Sequence, residues 1–339
     1  MGDVAMAVPV VWSLAMQYPD VRITVLSRKF ARPLFDDLAP NVDFMEADLK
    51  GEYHGVKGLN ALYRRLTAKQ FTKIADFHNV LRSEYLRMRF NIGHYRVEHI
   101  DKQRHQRRAL TSRNRKTVQP LRSPFELYAD VLRKLGYPVS VEFRSLFPPE
   151  GGNLNLLPAV VGPKKRFEQW IGVAPTAAHP GKCYPPERTL QVIEQLTADY
   201  PHARVFLFGR GHAEDQLFTD WCRRLPQCVY VSHHLESLHQ ELILMSHLDV
   251  MLSMDSSNMH LASLTATPVV SVWGATHPCA GFMGWGQSAG NAVQADLDCR
   301  PCSIYGNRPC RRGDMACMDL IKPEQITEKI KQIINLKNK

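Results

Sequence analysis

Residues 254–262 run Met254-Asp255-Ser256-Ser257-Asn258-Met259-His260-Leu261-Ala262, with Val250, Met251 and Leu252 before them. A second apolar run, Pro268-Val269-Val270-Ser271-Val272-Trp273-Gly274, follows. The pattern reads as strand, tight turn, helix, strand. Ser256, Ser257 and Asn258 are residue types that begin helices, where four backbone N–H groups have no partner inside the helix. Those groups and the helix dipole make a site for an anion, phosphate above all. Asp255 and His260 add an acid and a hydrogen-bond donor. An ordinary capped helix in an α/β sheet fits the same spacing.

The elements that must carry this turn form two α/β halves. In the first, 5–18 reads as a helix, 21–26, 42–45 and 74–77 as strands, and 83–90 as a basic amphipathic helix. Residues 125–135 read as a helix stopped by Gly136 and Pro138. A stretch rich in Pro, Gly and Asn, taken as 151–168, reads as a linker. The second half alternates strands (170–174, 204–208, 229–231) with helices (186–200, 213–224, 238–246) and ends in a helix at 323–336, which indicates a parallel sheet covered on both faces. The expected domains are 1–150 and 169–322, with 323–339 as a closing helix and a ligand cleft at the carboxyl ends of the strands. The chain opens Met1-Gly2-Asp3 directly before a helix, so the first domain is expected to lack its first strand, a truncation of about ten residues.

The 339 residues carry 44% hydrophobic and 22% charged side chains, values of a soluble globular protein with room for two cores. No apolar run reaches the length of a spanning helix, and no basic segment precedes the apolar stretch 4–16, which argues against a secretory signal and for the cytoplasm. The net charge of +10 is uneven. Lys102, Arg104, Arg107, Arg108, Arg113, Arg115 and Lys116 fall within residues 102–116 with no acid after Asp101. Such a run is a solvated face or a site for anionic surfaces and substrates. It holds no aromatic side chain for base stacking, so nucleic acid is disfavoured.

Several stretches together resemble glycosyltransferase family 9, the lipopolysaccharide heptosyltransferases and their relatives. They are Asp255–Ala262 with Pro268-Val269-Val270 and Trp273-Gly274-Ala275-Thr276-His277-Pro278; Gly2-Asp3-Val4-Ala5 with Pro9; Asp76-Phe77-His78-Asn79-Val80-Leu81-Arg82-Ser83; Lys182-Cys183-Tyr184-Pro185; and Cys299-Arg300-Pro301-Cys302. The resemblance implies a GT-B fold, two Rossmann-like domains facing across a cleft. It also implies an inverting, metal-independent transfer of heptose or a related sugar from a nucleotide-diphosphate donor, ADP-heptose first, with no further cofactor. The implied acceptor is an anionic glycolipid such as a lipopolysaccharide core, met in the cytoplasm at the inner-membrane surface, which the basic segment 102–116 would touch.

By the same match, Asp3 is the expected base that deprotonates the acceptor hydroxyl. Thr176, Lys182, Glu214, Asp255, Ser256, Ser257, Asn258 and His260 are the expected donor-binding residues, with Lys182 and His260 as charged partners of the diphosphate. His78 and Arg82 are expected on the acceptor side. The family often has glycine where Ser257 stands, and Ala177 and Ala178 occupy positions that some members fill with hydroxyl residues. A truncated or degenerate relative that binds donor without turnover is the alternative expectation.

Four of the eight cysteines, Cys299, Cys302, Cys310 and Cys317, are spaced C-x2-C-x7-C-x6-C. Zinc is one reading of that spacing. The second pair lacks the short separation usual for zinc, and a reduced, packed loop is the expected state.

Overall fold

The computed structural model describes residues 1–114 and 117–337 of the chain. They fall into two compact units. The first comprises Asp3–Arg104 and Arg122–Phe143; the second comprises His105–Leu121 and everything from Arg144 onward. The basic excursion 105–121, expected in the first domain, is therefore part of the second unit. So is the stretch 151–168, expected as a linker: Gly152 N–H donates to Ser246 Oγ at 2.9 Å, and Lys164 pairs with Asp249 at 2.7 Å. Arg115 and Lys116 of the basic run lie outside the described residues.

In the first unit, α1 (Gly2–Gln17) precedes β1 (Ile23–Ser27), β2 (Val42–Glu46), α2 (Gly55–Thr67), β3 (Lys73–Asp76), α3 (Leu81–Ile92) and β4 (Arg96–His99). The strands form two parallel pairs, Ile23 opposite Val42 and Lys73 opposite Arg96. A core of Met45, Tyr53, Leu62, Leu66 and Phe90 lies beneath them. α1 is apolar along most of its length and buries Ala5 through Val11. Asn41 fastens its end, donating from Nδ2 to the carbonyls of Ala15, Tyr18 and Val21. α4 (Arg104–Leu110) leads into the excursion, and α5 (Pro124–Lys134) returns to the first unit. α5 starts with Ser123 and Glu126 capping each other reciprocally and Pro124 in its first turn, the chemistry that begins helices best.

The second unit is a six-stranded parallel sheet in the order β10-β9-β8-β5-β6-β7. Its strands are β5 (Trp170–Ala174), β6 (Arg204–Leu207), β7 (Cys228–Tyr230), β8 (Val250–Met254), β9 (Val269–Trp273) and β10 (Ala292–Gln294). The helices are α6 (Pro186–Asp199), α7 (His212–Arg224), α8 (Leu238–Ser246), α9 (Ser257–Leu264), α10 (Ala316–Asp319) and α11 (Pro323–Lys337). β5, β8 and β9 are buried along their whole length, as apolar strands covered on both faces must be. The chain winds outward from β5 through β6 to β7, then crosses back and winds the other way from β8 through β9 to β10. The order reverses between β5 and β8, and a parallel sheet leaves a crevice at the carboxyl ends of its strands at such a point. Among the described residues no helix is long and apolar enough to cross a membrane.

Candidate functional site

The loops after β5 and β8 meet at that reversal. Lys182 ends a single helical turn, Pro180–Lys182, and Asp255 follows β8 directly. Lys182 Nζ lies 2.8 Å from Asp255 Oδ2, and the two side chains keep only 15% and 4% of their exposure. The loop holding Lys182 is braced on three sides. Ala275 N–H donates to Gly181 O at 2.8 Å, and the buried Tyr184 hydroxyl donates to Ile321 O at 2.8 Å. Gly306, at φ +75°, packs against the lysine stem so closely that a Cβ there would meet Lys182 Cγ at 2.6 Å. The lysine is therefore presented by a rigid loop.

Ser256 is the N-cap of α9 by backbone conformation, yet its hydroxyl makes no capping bond. It lies 3.2 Å from Ser253 Oγ instead. The side chain expected to close the helix start leaves the N–H groups of the first turn open, and Ser257 and Asn258 occupy that turn half-buried. His260, one turn along, is buried, and its Nδ1 has no hydrogen-bond partner. Burial, then the nearby Lys182 ammonium, push its pKa down to about 3. The expectation of a charged histidine is corrected: at neutral pH the ring is an uncharged imidazole that can offer one N–H and no positive charge. Thr276, in the loop after β9, is also buried with an unpartnered Oγ1. It was missed as a site residue because only its burial sets it apart from a surface threonine.

Thr176 lies half-buried just past β5. Glu214 sits in the first turn of α7, after the Gly209–Gly211 turn that leaves β6. Its side chain folds over those glycines: a Cβ on Gly211 would meet Glu214 Oε2 at 2.6 Å. The neighbouring Asp215 is engaged by His233 Nε2 at 2.7 Å, so Glu214 is the carboxylate that lies over the turn. Thr176, Asp255 and Thr276 lie in loops, and Glu214 in the helix start, that follow the carboxyl ends of adjacent strands β5, β8, β9 and β6.

Cys299, Cys302, Cys310 and Cys317 are free thiols that line one small cavity together with Arg300 and Arg311. Among the described residues, no three His, Cys, Asp or Glu side chains are grouped as a metal-ligand set. The Arg300 guanidinium holds the loop in place through the carbonyls of Gly274, Trp273 and Thr276. One cation of the basic run, Arg107, and the neighbouring Thr111 are also structural. Arg107 donates to the Tyr305 hydroxyl at 2.7 Å and lies over the Phe282 ring at 5.0 Å. In the other direction, Thr111 O accepts from Arg311.

In the first unit the loop after β3 carries the acceptor-side candidates. Asp76 Oδ1 accepts from the N–H groups of His78 and Asn79, both at 2.9 Å, and Arg87 Nε approaches Oδ2 at 3.3 Å. Asn79 takes φ +43°, and its amide donates to Ile100 O at 2.9 Å. Phe77 stacks on Tyr128 at 4.4 Å, and the Tyr128 hydroxyl donates to Asp3 O at 3.4 Å. The stack links the loop to the first turn of α1, where Asp3 is exposed and helical rather than in a preceding turn. Partial burial lowers the pKa of His78, opposed by the Asp3 carboxylate and assisted by Lys102; Asp76 and Arg82 act on it more weakly. The structure thus brings Asp3, Arg82 and Lys102 within electrostatic reach of His78. Asp76, to which no role was given, is the carboxylate that shapes the loop.

The sequence model of glycosyltransferase family 9 (heptosyltransferase) matches residues 59–309. No curated protein sequence matches the chain. Among solved structures, the ADP-heptose lipopolysaccharide heptosyltransferase II of E. coli superposes with a TM-score of 0.66 at 17% identity, covering 99% of this chain and 96% of that one. A family 9 glycosyltransferase of Veillonella parvula DSM 2008 gives a TM-score of 0.69 at 18% identity, covering 98% and 94%. E. coli heptosyltransferase WaaC with ADP gives 0.66 at 16% identity, covering 98% and 97%. The α/β architecture is that of the GT-B heptosyltransferases. With its family model matched over most of its length, the chain belongs to glycosyltransferase family 9, the heptosyltransferases.

Proposed function

We propose that this glycosyltransferase moves a heptose, or a closely related sugar, from ADP-heptose to an anionic glycolipid of the lipopolysaccharide-core type, with inversion and without a metal. The observation that carries the reading is the Lys182–Asp255 pair beside the open N-terminus of α9, at the reversal of strand order. A nucleoside diphosphate suits that place. Its phosphates accept from the α9 N–H groups and take the Lys182 ammonium as counter-ion. The neutral His260 and the Thr276 hydroxyl offer further donors with no other partner, Thr176 at the end of β5 suits the phosphates, and the Glu214 carboxylate suits ribose hydroxyls.

In the transfer, the acceptor oxygen forms a bond to the anomeric carbon as the bond to the β-phosphate oxygen breaks. Asp3 takes the acceptor proton, and ADP leaves with the bonding electrons. Lys182 and the α9 amides meet the charge that develops on the diphosphate. His78, which feels the Asp3 carboxylate, and Arg82 and Lys102, which act on His78, suit an acidic acceptor. The exposed cations of segment 102–116, such as Arg104 and Arg108, add to that attraction, and a cytoplasmic place at the inner-membrane surface follows from the substrates.

A thermal-shift panel of ADP-heptose and UDP-, GDP- and dTDP-sugars tests the donor. Stabilisation by ADP-heptose alone supports the reading, and preference for another nucleotide sugar overturns its donor. Anomeric configuration of the product by NMR, measured with and without EDTA, tests inversion and metal independence. Donor binding with no transfer to any core oligosaccharide identifies the alternative, a relative that binds without turnover.

A further inference from the structure

α3 has two apolar sides. Phe90 is buried in the core of the first unit. Leu81, Tyr85, Met88 and Ile92 recur at helical spacing on the side opposite Phe90. Leu81 is 84% exposed, Met88 49% and Ile92 69%. The Tyr85 hydroxyl donates to Asn60 Oδ1 of α2 at 2.9 Å, and the Arg89 guanidinium lies 4.9 Å from the Tyr63 ring centre. These cross-links run in the same direction along both helices. Val56, 61% exposed and one turn before Asn60, therefore falls level with Leu81, one turn before Tyr85. Single exposed apolar residues are ordinary, whereas four that share one face are not.

The charges around that face are mostly cationic. Arg82 and Arg89 flank the stripe on the side toward α2, and α2 adds Lys57 and Arg64. α2 has no acid, and α3 has only Glu84, on the opposite flank. We propose that this α2–α3 face docks on an anionic lipid bilayer, with Val56, Leu81, Met88 and Ile92 entering the headgroup region and the four cations meeting lipid phosphates. A second copy of the chain fits the face poorly, because a symmetric contact sets cations against cations. The proposal rests on the reading of a lipid-borne acceptor. The loop with His78 leads directly into α3, and Arg82 lies in its first turn, so docking along the helix brings those residues to the height of lipid headgroups.

The test is co-sedimentation of the full-length protein with vesicles of phosphatidylcholine, with or without phosphatidylglycerol. The wild type is expected to bind the phosphatidylglycerol vesicles. Leu81→Ser/Met88→Ser/Ile92→Ser should weaken that binding about tenfold or more at any salt, with the melting temperature held, because the three side chains are exposed. Lys57→Gln/Arg64→Gln/Arg89→Gln should weaken it about tenfold at low salt and little at high salt. Vesicle binding by the triple serine variant equal to wild type overturns the proposal, as does a wild type that stays in the supernatant. Self-association that the serine substitutions abolish, seen by gel filtration with light scattering, overturns it in favour of a protein interface. Both variants should keep the wild-type thermal shift with ADP-heptose. A protein that binds vesicles through this face and takes no nucleotide sugar upholds the docking surface and overturns the proposed function instead.

Discussion

Lys182 and Asp255 form a largely buried ion pair, 2.8 Å apart, between the loops that follow β5 and β8. The pair both holds the crevice together and places a cation in it, and substitutions separate the two tasks. Lys182→Met should raise the dissociation constant for ADP-heptose by about 10- to 100-fold, because a charge-assisted contact to phosphate is lost. Asp255→Ala leaves the lysine largely buried without its partner and should lower stability by about 2 kcal/mol, a figure reduced for the remaining exposure of Lys182. Calorimetric titration and denaturant unfolding of the two variants and their double mutant give the coupling. Additive effects on stability would show that the pair is incidental.

Asp3 is exposed in the first turn of α1, and only its carbonyl, not its carboxylate, receives the Tyr128 hydroxyl. Asp3→Asn should therefore fold normally and bind donor normally while losing roughly 10²-fold or more in kcat, the usual share of a general base. A variant that loses donor affinity instead would remove Asp3 from the role of acceptor base.

The buried imidazole of His260 has a direct consequence for acid stability. Its folded pKa of about 3 lies below the ordinary histidine value. Between the two values the unfolded chain binds a proton that the folded chain does not, so stability falls as pH drops below about 6.5, at up to about 1.4 kcal/mol per pH unit for one proton. Above that range the group has no effect. His260→Gln should flatten this part of the pH–stability curve, measured by urea unfolding between pH 4 and pH 7 (values on the order of the two pKa values). An unchanged slope would mean that the histidine is protonated in the folded state.

Asp76 organises the loop that presents His78 and Arg82, accepting two backbone N–H groups and pairing with Arg87. Asp76→Ala should raise KM for the acceptor about tenfold or more and destabilise the first unit by about 2–3 kcal/mol, since Arg87 is left largely buried with only the Asn79 amide oxygen and no carboxylate beside it. The donor dissociation constant should not move. Steady-state kinetics at saturating donor distinguish this from a general loss of folded protein, which would lower kcat and leave KM alone.

What could be read from the sequence follows the physical strength of each signal. β5, β8 and β9 are short apolar runs bounded by turn residues, and all three were legible with their helices. α2 was not, because Gly55 and Gly58 depress helix propensity. The structure shows why Gly58 is there: a Cβ would meet the Tyr53 backbone at 2.4 Å. β10 has three residues and lies at a sheet edge, too short to show a period. At the candidate site, the resemblance and the residue types pointed to Lys182, Asp255, Glu214 and the start of α9, and the structure sets them in the loops and helix starts that follow β5, β6 and β8. The neutrality of His260 and the orphaned Thr276 hydroxyl depend on burial by residues distant in sequence. Local patterning holds no trace of either.

The excursion 105–121 has a practical consequence for dissecting the molecule. Leu110 and Leu121 pack with Ala280, Phe282 and Ile304 inside the second unit. A gene fragment beginning at Arg144 would encode the whole six-stranded sheet and still leave that cluster uncovered. The two units cannot be separated by one cut of the chain, and a fragment that keeps the second unit whole needs residues 105–121 grafted back or supplied as a peptide.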